Sequence, residues 1–249
     1  MLDTGRTIPS IVFTQVSFIN DYQMLWEYYC FTEELYERLI TTDNEYLVNN
    51  LNKLSLTGAC NGNKEKLDYF QKFSIDFFRK AIYTNCISML EKIFREICLV
   101  VAKEKKVDDE KLSLERFTIK KGFDFLRRTL GLSVYEEIEN FNLIGSFVEL
   151  RNCIVHRDSR LTPEQFDQIF YKKDGIKAED KFVEFIHNYN HVKQTRGKIS
   201  LEAKCIIDVI SNTELFLDKL CERIKHEVHD AQYKEIYEIM EKMKRNHNK

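Results

Sequence analysis

The sequence predicts an all-α fold, and two observations carry that expectation. The 249 residues include only 8 Gly and 2 Pro; sheets with many tight turns consume both, so their scarcity favours long helices with few connections. Apolar residues recur at three-and-four spacing over most of the chain, the period of one helix face. A hydrophobic fraction of 43% with 12% aromatic residues is enough to bury a sizeable core and excludes a disordered polypeptide. The expected architecture is an antiparallel helical bundle with additional N-terminal helices and a polar insert before the last long helix. Residues 1–62 read as a helical extension packed on the body, 63–230 as the main helical domain and 231–249 as a polar helical tail.

Residues 7–19 are rich in β-branched and aromatic types and partly alternate, so they predict a short strand or extended arm. From Asn20 the period becomes helical through Met24, Leu25, Tyr28 and Leu35, with Asn20 or Asp21 as N-cap. Leu47, Leu51 and Leu54 continue it, and Gly58 to Asn63 reads as a loop. The longest helix is expected over 64–105, where Phe70, Phe77, Ile82, Leu90, Phe94, Ile97 and Val101 hold the helical period without Gly or Pro. Asp108 to Glu110 breaks it. A helix follows from Leu112 to Leu130, closed by Gly131 as a left-handed C-cap.

Ser133 and Glu136 form a capping-box pattern, after which Leu143, Phe147, Leu150 and Ile154 make one apolar stripe. Pro163 between Thr162 and Glu164 marks the first turn of a short helix. Turns at 172–175 and 195–198 flank the polar insert, and within it Phe182 to Ile186 fits helix or strand. A second long helix is expected over 200–228, carrying Ile206, Val209, Leu217, Leu220 and Ile224.

The net charge of −2 provides no global attraction for nucleic acid, so any such site must be local. Seven cysteines at 30, 60, 86, 98, 153, 205 and 221 are scattered, with no C-x-x-C pair, as expected of reduced thiols in a cytoplasmic protein. No signal core is present and no apolar run approaches ~18 residues, so no membrane association is expected.

One stretch concentrates chemistry: Glu149-Leu-Arg-Asn-Cys-Ile-Val-His-Arg-Asp-Ser-Arg160. Asn152 and His156, four apart, project about 40° from each other on a helix, whereas Arg151 and His156, five apart, diverge by about 140°. One helix is therefore an incomplete catalytic set; two copies across a symmetric interface would bring two of each residue to one cleft. Such a set suits RNA cleavage without a metal or other cofactor. An imidazole with an ordinary pKa of about 6.5 exchanges protons with the 2′-OH or the 5′ leaving oxygen. A guanidinium holds the phosphoryl oxygens as charge develops, and an amide orients either group.

Arg151-Asn152 followed by His156 resembles the R-x4-H signature of the HEPN superfamily, within a Phe-Val-Glu-Leu-Arg-Asn-Cys-Ile-Val-His helix like that of its stand-alone prokaryotic members. The order of a long helix, the motif helix and a long closing helix is similar over about residues 70 to 228. The resemblance implies a HEPN-type bundle that dimerises into a composite, metal-independent endoribonuclease. Its products would carry 2′,3′-cyclic phosphate and 5′-OH ends. It also implies a toxin or antiviral-defence effector, with an antitoxin or defence-system protein as partner. Arg151 and His156 would be the catalytic pair and Asn152 their polar neighbour. Asp158 stands where the branch paired with nucleotidyltransferase antitoxins carries a Tyr, a departure from that branch. The same three residues also suit a plain helix terminus, with capping and ion-pair roles, and then the chain is a non-catalytic helical interaction or sensor module.

Arg157 and Arg160 after the motif, with Lys120, Lys121, Arg127 and Arg128 on another helix, would form a basic rim for RNA if folded beside it; ordinary solvated charge is the alternative. Ile154-Val-His-Arg-Asp158 mimics a kinase catalytic loop, but Pro163 occupies the position of its Asn and no Gly-rich loop accompanies it. The pairs His187/His191 and His226/His229 lack the neighbours of a metal site and read as solvated histidines.

Overall fold

The computed structural model describes residues 4–41, 63–105, 107, 117–131, 141–165 and 181–247. Among them are six α-helices and one two-stranded sheet: α1 (Thr4–Thr41), α2 (Asn63–Lys105), α3 (Ile119–Leu130), α4 (Phe141–His156), α5 (Lys181–Asn188), β1 (Val192–Thr195), β2 (Lys198–Leu201) and α6 (Ala203–His247). The chain is thus mostly helical. No helix among the described residues is long and apolar enough to cross a membrane.

The segment predicted as a strand or extended arm is instead helix: α1 runs through residues 7–19, and Asn20 and Asp21 lie inside it rather than capping it. β-Branched residues lower helix propensity by only roughly 0.5 kcal/mol each, and burial outweighs that. Ile11, Phe18, Tyr22 and Tyr29 are buried, at steps of seven, four and seven that keep one face inward. The long helix predicted over 64–105 is present as the 43 residues of α2, about 65 Å at the standard rise. Of the helix expected from Leu112 to Leu130, residues 112–116 lie outside the described residues; Phe117 is not helical, and Thr118, extended at φ −139°, caps α3 by accepting from the Lys121 amide. Gly131, at φ 71°, closes α3 in the left-handed conformation, its N–H bonded to Arg127 O. Phe182 to Ile186 resolves as helix within α5. The long closing helix starts at Ala203 rather than Ser200, because 198–201 pairs with 192–195 as an antiparallel hairpin; the chain is therefore not wholly α. The expected helix at 47–54, most of the loop at 58–63, the break at 108–110, the capping box at 133–136 and the turn at 172–175 lie outside the described residues.

The residues group into two compact units, one of Met1–Asp21, Ser88–Ile144 and Ser211–Lys249, the other of Tyr22–Ile87 and Gly145–Ile210. The first is built on phenylalanine. Phe94 meets Phe117, Phe123 and Phe216 edge-on at centroid distances of 5.8, 4.8 and 6.3 Å, and Phe123 also meets Phe141 at 4.9 Å. Such edge-to-face pairs add roughly 0.5–1.5 kcal/mol each beyond area burial. Gln15 of α1 donates to Asp218 of α6 and accepts from Lys225 at 2.9 Å, tying the first helix to the last.

Gly122 makes that aromatic packing possible. A Cβ there would stand 2.8 Å from Phe117 Cζ and 2.9 Å from Phe94 Cε1, and Phe94 is held by its other ring partners. Gly122→Ala is expected to lower stability by about 1–2 kcal/mol, the overpacking cost less the helix gain, seen as a Tm fall of roughly 3–6 °C. Gly145 of α4 has open space around its Cβ position, so Gly145→Ala is expected to raise Tm. The pair is measured by thermal melts.

The second unit holds the motif helix from Gly145 onward. Tyr83 of α2 donates to Phe147 O of α4 at 3.0 Å, and Phe147 packs edge-on against Tyr83, Phe185 and Tyr189. Where β2 leads into α6, a polar cluster fixes the backbone. Asp76 accepts from Leu201 N at 3.0 Å, Arg79 donates to Leu201 O, and Tyr29 donates to Ala203 O at 3.1 Å. Arg79 also grips Glu33 through two bonds of 2.8 and 2.9 Å. Burial works against the Arg79 cation, but the hydrogen bonds and charge of Glu33 outweigh it and hold its pKa raised. Burial and the adjacent Cys205 push the Tyr189 hydroxyl up, which keeps it protonated as a donor to Asp208 at 2.8 Å.

Candidate functional site

The outward face of α4 carries the candidate chemistry. Its inward stripe is Ile144, Phe147, Leu150 and Cys153, all fully buried, with Leu143 and Ile154 half-buried at its margin. The face opposite carries Gly145, Glu149 and His156, all exposed, with Asn152 half-buried between them. These positions are spaced four, three and four, one stripe of a helix. Asn152 and His156 therefore share the solvent side, as the spacing predicts. Arg151 is half-buried at the edge of the core face, its Nε buried. Glu149, a carboxylate seven residues before His156 and unassigned from sequence, stands on the same stripe, a placement that its spacing signals.

His156 is the last residue of α4, and the helix ends there for identifiable reasons. Ser159 N bonds back to Cys153 O at 3.0 Å, and Asp158 and Ser159 adopt φ of 50° and 61°, left-handed conformations that reverse the chain. The strand-like stretch beyond is captured by the hairpin. Ser159 O accepts from Ile199 N at 2.8 Å, Leu161 N donates to Gly197 O at 3.0 Å, and Arg160 bridges Lys198 in antiparallel fashion. Cys153 Sγ donates to Arg160 O at 3.2 Å from beneath. Burial pushes the Cys153 thiol up, with the Arg157 and Lys80 cations acting in the opposite direction, so this cysteine packs rather than reacts.

The four arginines of the expected basic rim have different local settings. Arg157 is committed to structure: its guanidinium donates to Gln165 at 2.7 Å and lies 6.0 Å from the centroid of the Phe182 ring. Gln165 also receives Thr162 N, and Thr162 Oγ1 accepts from Gln165 N, both at 3.2 Å. That reciprocal cap starts the turn anticipated at Pro163. Arg160 is exposed, its Nε 4.0 Å from Asp158. Arg127 and Arg128 lie exposed in the last turn of α3, where cations favour the helix C-terminus; they belong to the other compact unit.

Two cations unassigned from sequence, Arg196 and Lys198, are brought beside Arg160 by the hairpin. Val192, Ile199 and Leu201 buried around an Arg-Gly turn was the signal that could have revealed it. His191 stands 3.6 Å from Glu202 and edge-on to Tyr189, while His187 is exposed in the last turn of α5. Among the described residues no group of three or more His, Cys, Asp or Glu side chains is placed to hold a metal ion.

Chemically, the α4 terminus offers an exposed imidazole, a half-buried amide on the same face, a guanidinium on the flank and a basic turn immediately downstream. No protein-family model, curated protein or solved structure matches this chain.

Proposed function

We propose that the protein is a metal-independent endoribonuclease of HEPN type that acts as a homodimer, in the setting of a toxin or antiviral-defence effector. The observation that carries the reading is the shared outward face of Asn152 and His156 at the end of α4, with Arg151 on its flank. In the proposed reaction the ribose 2′-oxygen attacks phosphorus, and its proton passes to a basic imidazole. The P–O5′ bond breaks, and the leaving oxygen takes a proton from an acidic imidazole. Two His156 side chains, one from each copy, would divide those roles. Arg151 would hold the phosphoryl oxygens in the transition state, and Asn152 would orient the imidazole or the phosphate.

The test is incubation of a mixed RNA pool with the protein in the presence of a chelator, followed by end-group analysis. Expected products carry 2′,3′-cyclic phosphate and 5′-OH ends, and an all-deoxy strand of the same sequence stays whole. Cleavage of the deoxy strand, or products with 5′-phosphates, would sink the reading.

A second reading, a non-catalytic interaction or sensor module, is favoured by one observation. Tyr28, Phe31 and Leu35 of α1 and the stacked pair Phe73 and Phe77 of α2 are exposed large apolar groups, the type of surface that partner proteins cover. Under that reading the purified protein leaves RNA intact.

A further inference from the structure

We infer that the turn after α4 and the tip of the β1–β2 hairpin form one rim that binds the phosphodiester backbone of RNA, through Arg160, Arg196 and Lys198. This rests on the ribonuclease reading and gives that site its means of holding substrate. Main-chain bonds from Ile199 N to Ser159 O at 2.8 Å and from Leu161 N to Gly197 O at 3.0 Å lock the two turns together. Arg160 therefore stands directly opposite Lys198, only four residues beyond His156. Arg160 and Lys198 keep 72% and 51% of their side-chain surface exposed, and Arg196 at the tip is also exposed.

Among the described residues the charge there is unbalanced. One carboxylate, Asp158, lies 4.0 Å from both Arg160 Nε and Lys198 Nζ, and Arg196 adds a third exposed cation at the tip. The hairpin's remaining lysine, Lys193, is already matched by Glu202 at 2.6 Å.

Backbone conformation points to the same place. Among the described residues the three non-glycine positions with positive φ are Asp158, Ser159 and Arg196, all in these two turns. Arg196 and Gly197, at φ 50° and 78°, give the hairpin turn positive φ at both central positions, which favours Asn-Gly. Asp tolerates such a conformation through its short polar side chain; a long arginine has no local reason to adopt it. An Arg at a strained tip, beside a second strained turn, is the pattern of a binding position. Guanidinium forks and an ammonium on a fixed edge suit successive phosphates.

The test uses the full-length protein and a fluorescent 2′-O-methyl RNA, which lacks the 2′-OH nucleophile and so reports binding alone. Anisotropy titrations across a salt series should show the variant Arg160→Gln/Arg196→Gln/Lys198→Gln binding at least tenfold more weakly. Its log–log salt slope should be shallower by about 2, the loss of three single-strand phosphate contacts. The single variant Arg196→Asn should weaken binding while raising Tm, because Asn relaxes the turn; a structural role alone would not give that combination. A parent protein that binds this RNA yet leaves unmodified RNA whole would overturn the ribonuclease reading alone, so the two readings fail separately. Unchanged affinity and salt slope in the triple variant would overturn the inference, as would tighter binding of the parent protein to anionic lipid vesicles than to RNA.

Discussion

His156→Ala is expected to lower metal-free RNA cleavage by about 10²–10⁴-fold, the usual contribution of a positioned acid–base group, equivalent to roughly 3–5 kcal/mol in the barrier. The magnitude reflects how little else the residue does. His156 is exposed at the last position of α4, so truncating it leaves no cavity, and surface changes of this kind shift stability by only about 0.5 kcal/mol. Initial rates with a defined oligoribonucleotide, measured beside a thermal melt, should therefore show activity falling with Tm unchanged. Arg151→Ala is a less clean probe, because the half-buried side chain contributes packing as well as charge. Parent-level cleavage by the His156 variant would remove the residue from the mechanism.

Phe147→Ala is expected to cost about 3–5 kcal/mol of stability, as for other fully buried aromatics. The ring has no exposed surface and meets three aromatic neighbours at 5.9 to 6.2 Å. Its carbonyl also receives the buried Tyr83 hydroxyl, so repacking the hole would strain that bond. Against a typical total of roughly 5–15 kcal/mol, the loss is a large fraction. Urea titration should show a clear fall in the midpoint with an unchanged slope. Because Phe147 lies on the opposite side of α4 from Asn152 and His156, cleavage should recover under conditions where the variant is folded. This separates a packing residue from a chemical one on the same helix.

The sequence was most legible where one apolar face recurs over many turns. α2 and α6 announce themselves by three-and-four spacing, and the inward stripe of α4 was correct to within a residue at Leu143 and Ile154, which border rather than form it. Within α1 the helix was legible from Asn20 onward, but residues 7–19 were not, because apolar residues lie on both the inner and outer faces there. Phe13 and Val16 are exposed, so they obscured the buried Ile11 and Phe18, and β-branched composition then suggested a strand. The hairpin was missed for a different reason. Each strand has four residues, too few for alternation to compete with a helical pattern that begins two residues later.

For the candidate site, helical angles placed Asn152 and His156 together correctly. No local signal showed that Arg157 would be tied to Gln165 and Phe182, or that a hairpin forty residues away would return to Arg160. Those are tertiary events, and spacing along the chain does not encode them.

The bonds from α1 to α6 carry a consequence for synthesis. Tyr29 and its carbonyl partner Ala203 are separated by 174 residues, and Gln15 lies 210 residues from Lys225. At translation rates of about 5–20 residues per second, α1 waits on the order of ten to forty seconds before α6 exists to receive it. Throughout that interval a helix rich in phenylalanine, tyrosine and branched aliphatics stands without its final partner. The nascent chain is therefore expected to depend on chaperones that shield apolar segments during elongation, and overly rapid production should favour aggregation over folding.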